Sequence, residues 1–443
     1  MFNDKYVNEY LNIIKEDEEF YYKDYLDMQE KVRNSSAIYK GQPIPVTYQG
    51  LFYDEENKKD FQYMSDMLMS ITRKITKKYI EDENYRKHFK FDKRLENLII
   101  HDPGYDVPVP IGRYDVFYSG RDNFKFVEFN TDGSSAMNED NTIGQIMLQT
   151  KAIKEMEKRY NYKMTNVDLI NSWAKISLDL YQRNKKTDKI PNVAIVDALE
   201  IGTPYEFREF KKAYEKLGAK CEIVDIKDLE YRDNKLVYKD FDIDLVYRRI
   251  VTVELMERYD EIKPFIDAYY DNAFMMIGSF RSQIMHYKLT YKIFRLEDTR
   301  SILSDKENEF LDKHIPYTEE FKTKEDLEEV VNNKDGYILK PIDSYASHGI
   351  VTGRDFKDKE EYRKVLEKIL DTGYIYQKYH VMDPLKFVEF TKEGKIKSDR
   401  FGAVVGMFIY DEKFIAPYTR IGQDNLISGA RDYYTAPNIF IEK

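Results

Sequence analysis

Arg113-Tyr-Asp115 is followed, thirteen residues after the aspartate, by Glu128-Phe-Asn130, and far downstream an apolar run ends in Tyr-Ile-Leu-Lys340-Pro. Asp115, Glu128 and Asn130 offer hard oxygen ligands, the kind that hold Mg²⁺ against nucleotide phosphates. An arginine beside them, Arg113, suits neutralisation of the charge that develops on a transferring phosphoryl group. Alternate residues of a strand share a face. Arg113 therefore points with Asp115, and Glu128 with Asn130. A turn at Ser119-Gly-Arg-Asp-Asn123 would pair the two strands and let all four groups converge. A solvated hairpin face with a surface ion pair would carry the same residue types.

Other polar segments follow apolar runs in the same way. Lys340-Pro-Ile-Asp-Ser344-Tyr-Ala-Ser347-His348-Gly349-Ile leaves one strand, passes through small residues and enters another. Ser344, Ser347 and Gly349 would let backbone amides approach phosphates, with Lys340 as the cation. The spacing is not that of a Walker A loop, and His348 reads as a loop hydrogen-bonder rather than a base. Tyr374-Ile-Tyr-Gln377-Lys378-Tyr379 is an apolar strand turning polar, which suits an adenine edge read by the backbone between apolar walls. A buried strand with a polar end reads equally well. Arg420, in Tyr-Thr-Arg-Ile-Gly, is placed to reach a phosphate or to lie on the surface. Asn130-Thr-Asp-Gly-Ser-Ser135 suits an anion nest or an ordinary turn. Arg248 and Arg249 end a strand, where either a substrate carboxylate or a salt bridge would use them.

These residues need a scaffold, and the chain is long enough for two or three domains. It has 443 residues, 42% hydrophobic and 34% charged, with a net charge of −10, which argues against nucleic-acid and anionic-membrane partners. The one cysteine, Cys221, reads as a buried structural residue. The acidic start without an apolar core, and the lack of an 18-residue apolar run, point to a cytoplasmic protein. Residues 1–90 show helical spacing, through Tyr6, Tyr10, Ile13 and Ile14 and again through Phe61, Met64, Met67, Leu68 and Ile71. From 91 to 135 the chain reads as short strands, beginning with Leu-Ile-Ile-His. From Asn141 to about Tyr181 it reads as helical. Residues 192–250 alternate strand and helix (NVAIVD, FREFKKAYEKLGA, CEIVDI, FDIDLVYRRIV), the rhythm of a small parallel sheet. The chain from 252 to 335 reads as mainly helical, and the remainder as an antiparallel-rich sheet.

The order R-x-D, E-x-N, a βαβ segment ending in Tyr-Arg-Arg, a lysine in MHYKLTYKIF and the Lys-Pro strand resembles the glutathionylspermidine synthetase family. That family is a circularly permuted branch of the ATP-grasp ligases, and the E-x-N standing before the lysines fits the permutation. The resemblance covers most of residues 100–443. It implies an α/β (α+β) permuted ATP-grasp fold with a Rossmann-like preATP-grasp lobe and a helical N-terminal region. The segments would be 1–90, helical; 91–190, the metal and phosphate part of the catalytic domain; 191–285, the Rossmann-like substrate lobe; and 286–443, the ATP-binding part. By the same resemblance Asp115, Glu128 and Asn130 bind Mg²⁺, as two ions, and Arg113 stabilises the γ-phosphoryl group. Lys288 is the first nucleotide lysine, with Lys292 as its competitor, and Lys340 is the second. Gln377, Lys378 and Tyr379 form the adenine side, and Arg420 contacts phosphate late in the chain. The long interval between Lys288 and Lys340 implies an insertion around residues 300–335, and the resemblance leaves the first ninety residues unexplained.

The expected activity is an ATP- and Mg²⁺-dependent carboxylate–amine ligase acting through an acyl phosphate. Its substrates would be a small carboxylate and a small amine, and its assembly a homodimer. Such chemistry needs positioning and charge neutralisation rather than a covalent nucleophile. A phosphotransferase using the same ATP site, or a catalytically silent ATP-grasp-like binding protein, would share these motifs.

Overall fold

The computed structural model describes residues 4–39, 41–200, 202–343, 348–381, 383–424, 426–427 and 433–442. Its central element is an antiparallel sheet in the order Tyr434–Ala436, Lys413–Gly422, Ile396–Tyr410, Ile111–Tyr118, Phe124–Asn130. Leu385–Phe390 pairs with the first part of the long strand Ile396–Tyr410. Strands more than 270 residues apart in sequence are thus direct neighbours, Asp115 lying opposite Gly406. The alternating apolar residues of these strands, Tyr114, Val116, Phe126, Phe129, Val405 and Met407, are buried in the principal core.

The helix Glu55–Glu81 packs on this core. Phe61, Met64, Leu68, Ile71, Ile75 and Tyr79 recur at three- and four-residue spacing and are fully buried, so one stripe of the helix faces the core. Its start is fixed by a capping box between Asp54 and Asn57. Two further helices, Asp4–Glu16 and Glu18–Arg33, share a second core with Ile143, Met147, Ile153, Met156 and Ile439. The N-terminal region also holds the strand Leu51–Tyr53, which runs parallel to Asn438–Glu442, and Lys163–Thr165 lies antiparallel on the other side of that strand.

The βαβ rhythm of residues 192–250 forms a parallel sheet in the order Met275–Ile277, Leu245–Arg248, Val193–Asp197, Cys221–Asp225, crossed by the helix Pro204–Lys216. FDIDLVYRRIV is not one strand. Phe241–Ile243 belongs to an antiparallel meander, and the chain breaks at Asp244, whose carboxylate takes Lys189 at 3.0 Å and the amide of Asn192 at 2.9 Å. Leu-Ile-Ile-His also departs from the strand reading. It closes the helix Lys93–Ile100, capped by Asp92 and burying Leu95, Leu98 and Ile99, a helical period that a short apolar run hides. Two strands, Met275–Ile277 and Thr318–Glu320, lie in the stretch read as mainly helical; each has only three residues and is held by its neighbours.

The last unit is a four-stranded antiparallel sheet in the order Thr318–Glu320, Tyr374–Lys378, Tyr337–Pro341, Val351–Thr352. The helices Lys324–Asn332 and Lys359–Ile369 cover it over a small core of Phe321, Leu339, Tyr362, Leu366 and Tyr376. Among the described residues no helix is long and apolar enough to cross a membrane.

Candidate active site

The strands Ile111–Tyr118 and Phe124–Asn130 pair with Arg113 opposite Asn130 and Asp115 opposite Glu128. Ser119 N donates to Asn123 O at 2.9 Å to close the turn between them. Because cross-strand partners lie side by side on one face, this register brings Arg113, Asp115, Glu128 and Asn130 together. The row continues from Asp115 to Gly406 and from Gly406 to Tyr418, with Arg420 two residues beyond on the same strand. Gly406 is required by close approach. A Cβ there would lie 2.6 Å from Cδ of Arg113 and 2.9 Å from Oδ1 of Asp115. Neither Gly406 nor Tyr418 was recognised from sequence, although an isolated glycine within the strand AVVGMF is the signal such a position leaves.

Asp115 is buried and held by two arginines. Arg113 Nε donates to Oδ1 at 2.9 Å, and Arg420 Nη2 donates to Oδ2 at 2.6 Å. Arg113 also donates to the Ser135 carbonyl at 2.9 Å. Lys288 Nζ lies 3.4 Å from Oε1 of Glu128. Lys340 Nζ donates to Val127 O at 2.9 Å and to Oε1 of Gln377 at 2.8 Å. Lys292 is engaged elsewhere, by Glu319 at 2.5 Å and Glu320 at 3.0 Å, so of the two candidate lysines it is Lys288 that meets Glu128.

The electrostatics follow from this crowding. Burial would raise the Glu128 pKa, but Lys288 and Lys340, with His286 and Arg420 behind them, hold it down at about 2. Burial lowers the Lys340 pKa to about 8, with Glu128 opposing and Lys288 reinforcing the shift. Burial works against the charge of Arg113 too, yet Asp115 raises its pKa above the usual value. Arg113, Lys288, Lys340 and Arg420 outnumber Asp115 and Glu128 by two charges. A triphosphate chelating one divalent cation is a dianion and matches that excess.

A cleft of about 680 Å³, counting the part open to solvent, opens beside this face. Asp115, Glu128, Lys340 and Arg420 line it together with the apolar Val127, Ile338, Ile350, Val404 and Ile427. Such a mixed lining suits a phosphate chain and a flat ring. Gln377, Lys378 and Tyr379 border it, but the amides of Lys378 and Tyr379 already donate to Tyr317 O and Gly336 O, both at 2.8 Å. A ring bound there would have to use carbonyls or side chains of this segment, or displace those bonds. Gly349 is exposed with φ of 74°, a conformation glycine adopts readily. Ser344 and Ser347 lie outside the described residues.

Among the described residues no three His, Cys, Asp or Glu side chains form a metal cage. Two carboxylates and an amide suit a different arrangement, a cation completed by phosphate oxygens and water. Asn130 fits it: its Nδ2 is buried without a partner, and rotating the amide would present Oδ1 in its place. Arg420 Nε is likewise buried without a partner.

The turn after Asn130 serves the fold. Asp132 is bound to Arg248 at 2.6 Å and to the Thr252 amide at 2.5 Å. Gly133 has φ of 62°, and a Cβ there would stand 2.7 Å from the Arg249 carbonyl. Arg249 is paired with Glu206 at 2.8 Å. Both arginines at the end of the parallel sheet are therefore salt-bridged.

A family model described as glutathionylspermidine synthase preATP-grasp matches residues 42–275, a span that contains the Asp115–Glu128 hairpin and the parallel sheet. The chain belongs to this family. A glutathione synthetase-like effector from Globodera pallida, in its apo form, superposes with a TM-score of 0.61 at 11% identity, covering 95% of this chain and 97% of that one. A provisionally assigned gamma-glutamylcysteine synthetase from Methylobacillus flagellatus KT gives a TM-score of 0.42 at 11% identity, over 83% of this chain and 87% of that one. The first likeness establishes a glutathione synthetase-like, ATP-grasp-related α/β fold; the second carries no argument. Curated protein sequences gave no match.

Proposed function

We propose that this member of the glutathionylspermidine synthase preATP-grasp family is an ATP- and Mg²⁺-dependent carboxylate–amine ligase that forms an amide through an acyl phosphate. The observation that carries the reading is the single polar face on which Asp115, Glu128 and Asn130 stand in register among four cations beside a half-apolar cleft. Mg²⁺ at Asp115, Glu128 and Asn130 would supply Lewis-acid neutralisation of the phosphate oxygens. Lys288 and Lys340 hold the phosphate chain. Arg113 and Arg420 lie where they can turn from Asp115 to the phosphoryl group as charge develops on it. Arginine keeps its proton throughout, so these groups stabilise charge without taking part in proton transfer. Water reaching the cleft would hydrolyse an acyl phosphate, so the ligase reading requires the bound substrates to displace it there.

Phosphate release from ATP and Mg²⁺ is measured with carboxylate–amine pairs drawn from amino acids, small peptides and polyamines. Release that requires both partners, with an amide found by mass spectrometry, is the expected result. Release with one partner and a phosphorylated product would make the protein a phosphotransferase. Failure to bind ATP would remove both enzymatic readings.

A further inference from the structure

Glu139 differs from the other carboxylates around this face. Asp115 is paired with Arg113 and Arg420, Glu128 with Lys288, Asp132 with Arg248 and Glu206 with Arg249. Among the described residues no lysine or arginine forms a salt bridge with Glu139. Its Oε2 accepts a hydrogen bond of 2.6 Å from the Tyr418 hydroxyl.

Its position is also particular. Tyr418 ends the cross-strand row that runs from Glu128 through Asp115 and Gly406. The Tyr418 ring lies 5.5 Å from the guanidinium carbon of Arg113 and 6.0 Å from that of Arg420. Glu139 stands over that end, in the first turn of the helix Met137–Met147, opposite the end occupied by Lys288. The helix is aimed by Ala136, at φ of 81°, directly after the Ser135 carbonyl that Arg113 grips. Asn138 ties it to the N-terminal region through Ser36 O at 2.7 Å. The half-buried carboxyl thus lies beyond the two arginines, on the side away from the nucleotide lysines.

We propose that Glu139 is the base of the amide-forming half-reaction, an inference that rests on the ligase reading. The amine nitrogen bonds to the carbonyl carbon of the acyl phosphate, the bond from that carbon to the phosphoryl oxygen breaks, and inorganic phosphate leaves. The proton lost from nitrogen passes to the Glu139 carboxylate and from there to water. A carboxylate locked to an arginine accepts a proton poorly because its charged form is stabilised. Glu139 escapes that lock while remaining beside the arginines that hold the phosphoryl group.

The groups facing Glu139 are Tyr418 and Arg420 from the strand Lys413–Gly422, Arg113 from Ile111–Tyr118, one strand further across the sheet, Glu206 from the helix Pro204–Lys216, Tyr433, and Asp140 on its own helix. Burial, aided by Glu206, raises its pKa to about 7 against the pull of Tyr418, Arg113 and Arg420, which suits a base working near neutrality. Asp140 provides the control. It is fully buried, its oxygens are taken by Asn438 at 2.5 Å and Asn166 at 3.1 Å, and burial raises its pKa to about 7 as well.

The test compares wild type, Glu139→Gln and Asp140→Asn in the carboxylate–amine pair established by phosphate release, and with hydroxylamine replacing the amine. Hydroxylamine is unprotonated at neutral pH and traps acyl phosphate without a base. In Glu139→Gln, amide formation should fall about 100-fold while hydroxamate formation stays within about twofold, and the acid limb of kcat/KM for the amine should vanish. Equal losses in both reactions, or no loss of amide formation, would overturn the proposal. Carbon-13 carboxyl titration of the resting protein adds a substrate-independent arm. A signal titrating near neutral pH should be lost in Glu139→Gln and kept in Asp140→Asn; a Glu139 carboxyl ionised down to about pH 5 would sink the assignment. Absence of turnover with every pair would count against the ligase reading, separately from that titration.

Discussion

Arg248 and Arg420 each grip an aspartate at 2.6 Å, Asp132 and Asp115 respectively. Around Arg248 every guanidinium nitrogen has a partner: Nε donates to Gly278 O and Nη1 to Ile250 O, both at 2.6 Å, Nη2 donates to Asp132, and the second oxygen of Asp132 takes the Thr252 amide. Around Arg420, Nε is buried without a partner, and Asn130 nearby leaves Nδ2 in the same state. The two clusters share residue types, distance and a buried aspartate, although Arg420 is less deeply buried than Arg248. They differ in satisfaction. A saturated ion pair pins two lobes together, whereas a buried donor with nothing to bind costs stability and makes sense where a ligand supplies the missing partner.

That contrast is open to attack by mutation, beginning with the largest effect. Arg248→Met leaves Asp132 buried and unpaired, and should cost about 3–5 kcal/mol in urea unfolding. Arg420→Met leaves Asp115 still paired with Arg113 and should cost clearly less; equal losses would erase the distinction. Glu128→Gln should lower phosphate release about 100- to 1000-fold, as removing a preorganised electrostatic group does, without moving the unfolding midpoint much. Full activity in that variant would refute the metal assignment.

A smaller effect comes from pH. Lys340 is a cation below about 8 and loses that charge above it, so affinity for a non-hydrolysable ATP analogue should decline as pH rises from 7 to 9. The decline is at most about tenfold per unit above the pKa, and bound phosphate, by favouring the charged form, shifts it upward. Lys340→Met should bind weakly with little pH dependence, and an equally steep decline in that variant would move the titration to another group. The smallest effect separates two neighbouring lysines. Lys292→Met breaks partly exposed pairs with Glu319 and Glu320 and should cost no more than about 1 kcal/mol with nucleotide affinity unchanged. Lys288→Met should weaken the analogue by about 1.5–3 kcal/mol, the range for a hydrogen bond to a charged group. Comparable affinity losses would show that the contact between Lys288 and Glu128 does not identify the nucleotide lysine.

Legibility in the sequence followed the range of the interactions. The hairpin between Arg113 and Asn130 is local: alternation gave the faces, Gly120 and Asn123 the turn, and the observed register brings together the four groups that the spacing suggested. The amphipathic stripe through Phe61, Leu68 and Ile71 likewise gave its helix. The strands Leu51–Tyr53, Met275–Ile277 and Thr318–Glu320 were illegible, because three residues carry no periodicity and their partners lie far along the chain. Leu98 and Ile99 were misread for a related reason, since a short apolar run has no period of its own. Glu139 resembled any acid near a helix start, and only Tyr418, some 280 residues later, gives it a place.

By itself the sequence determined which groups are chemically able to hold a metal and phosphates, their alternation within each strand, and an order of motifs that places the chain in its family. Tertiary structure decided which charges are already spent. Whether an arginine is saturated, like Arg248, or has a donor to spare, like Arg420, depends on carbonyls and amides brought in from distant segments. A composition of residues cannot encode that, because hydrogen-bond satisfaction is a property of packed positions and not of residue types.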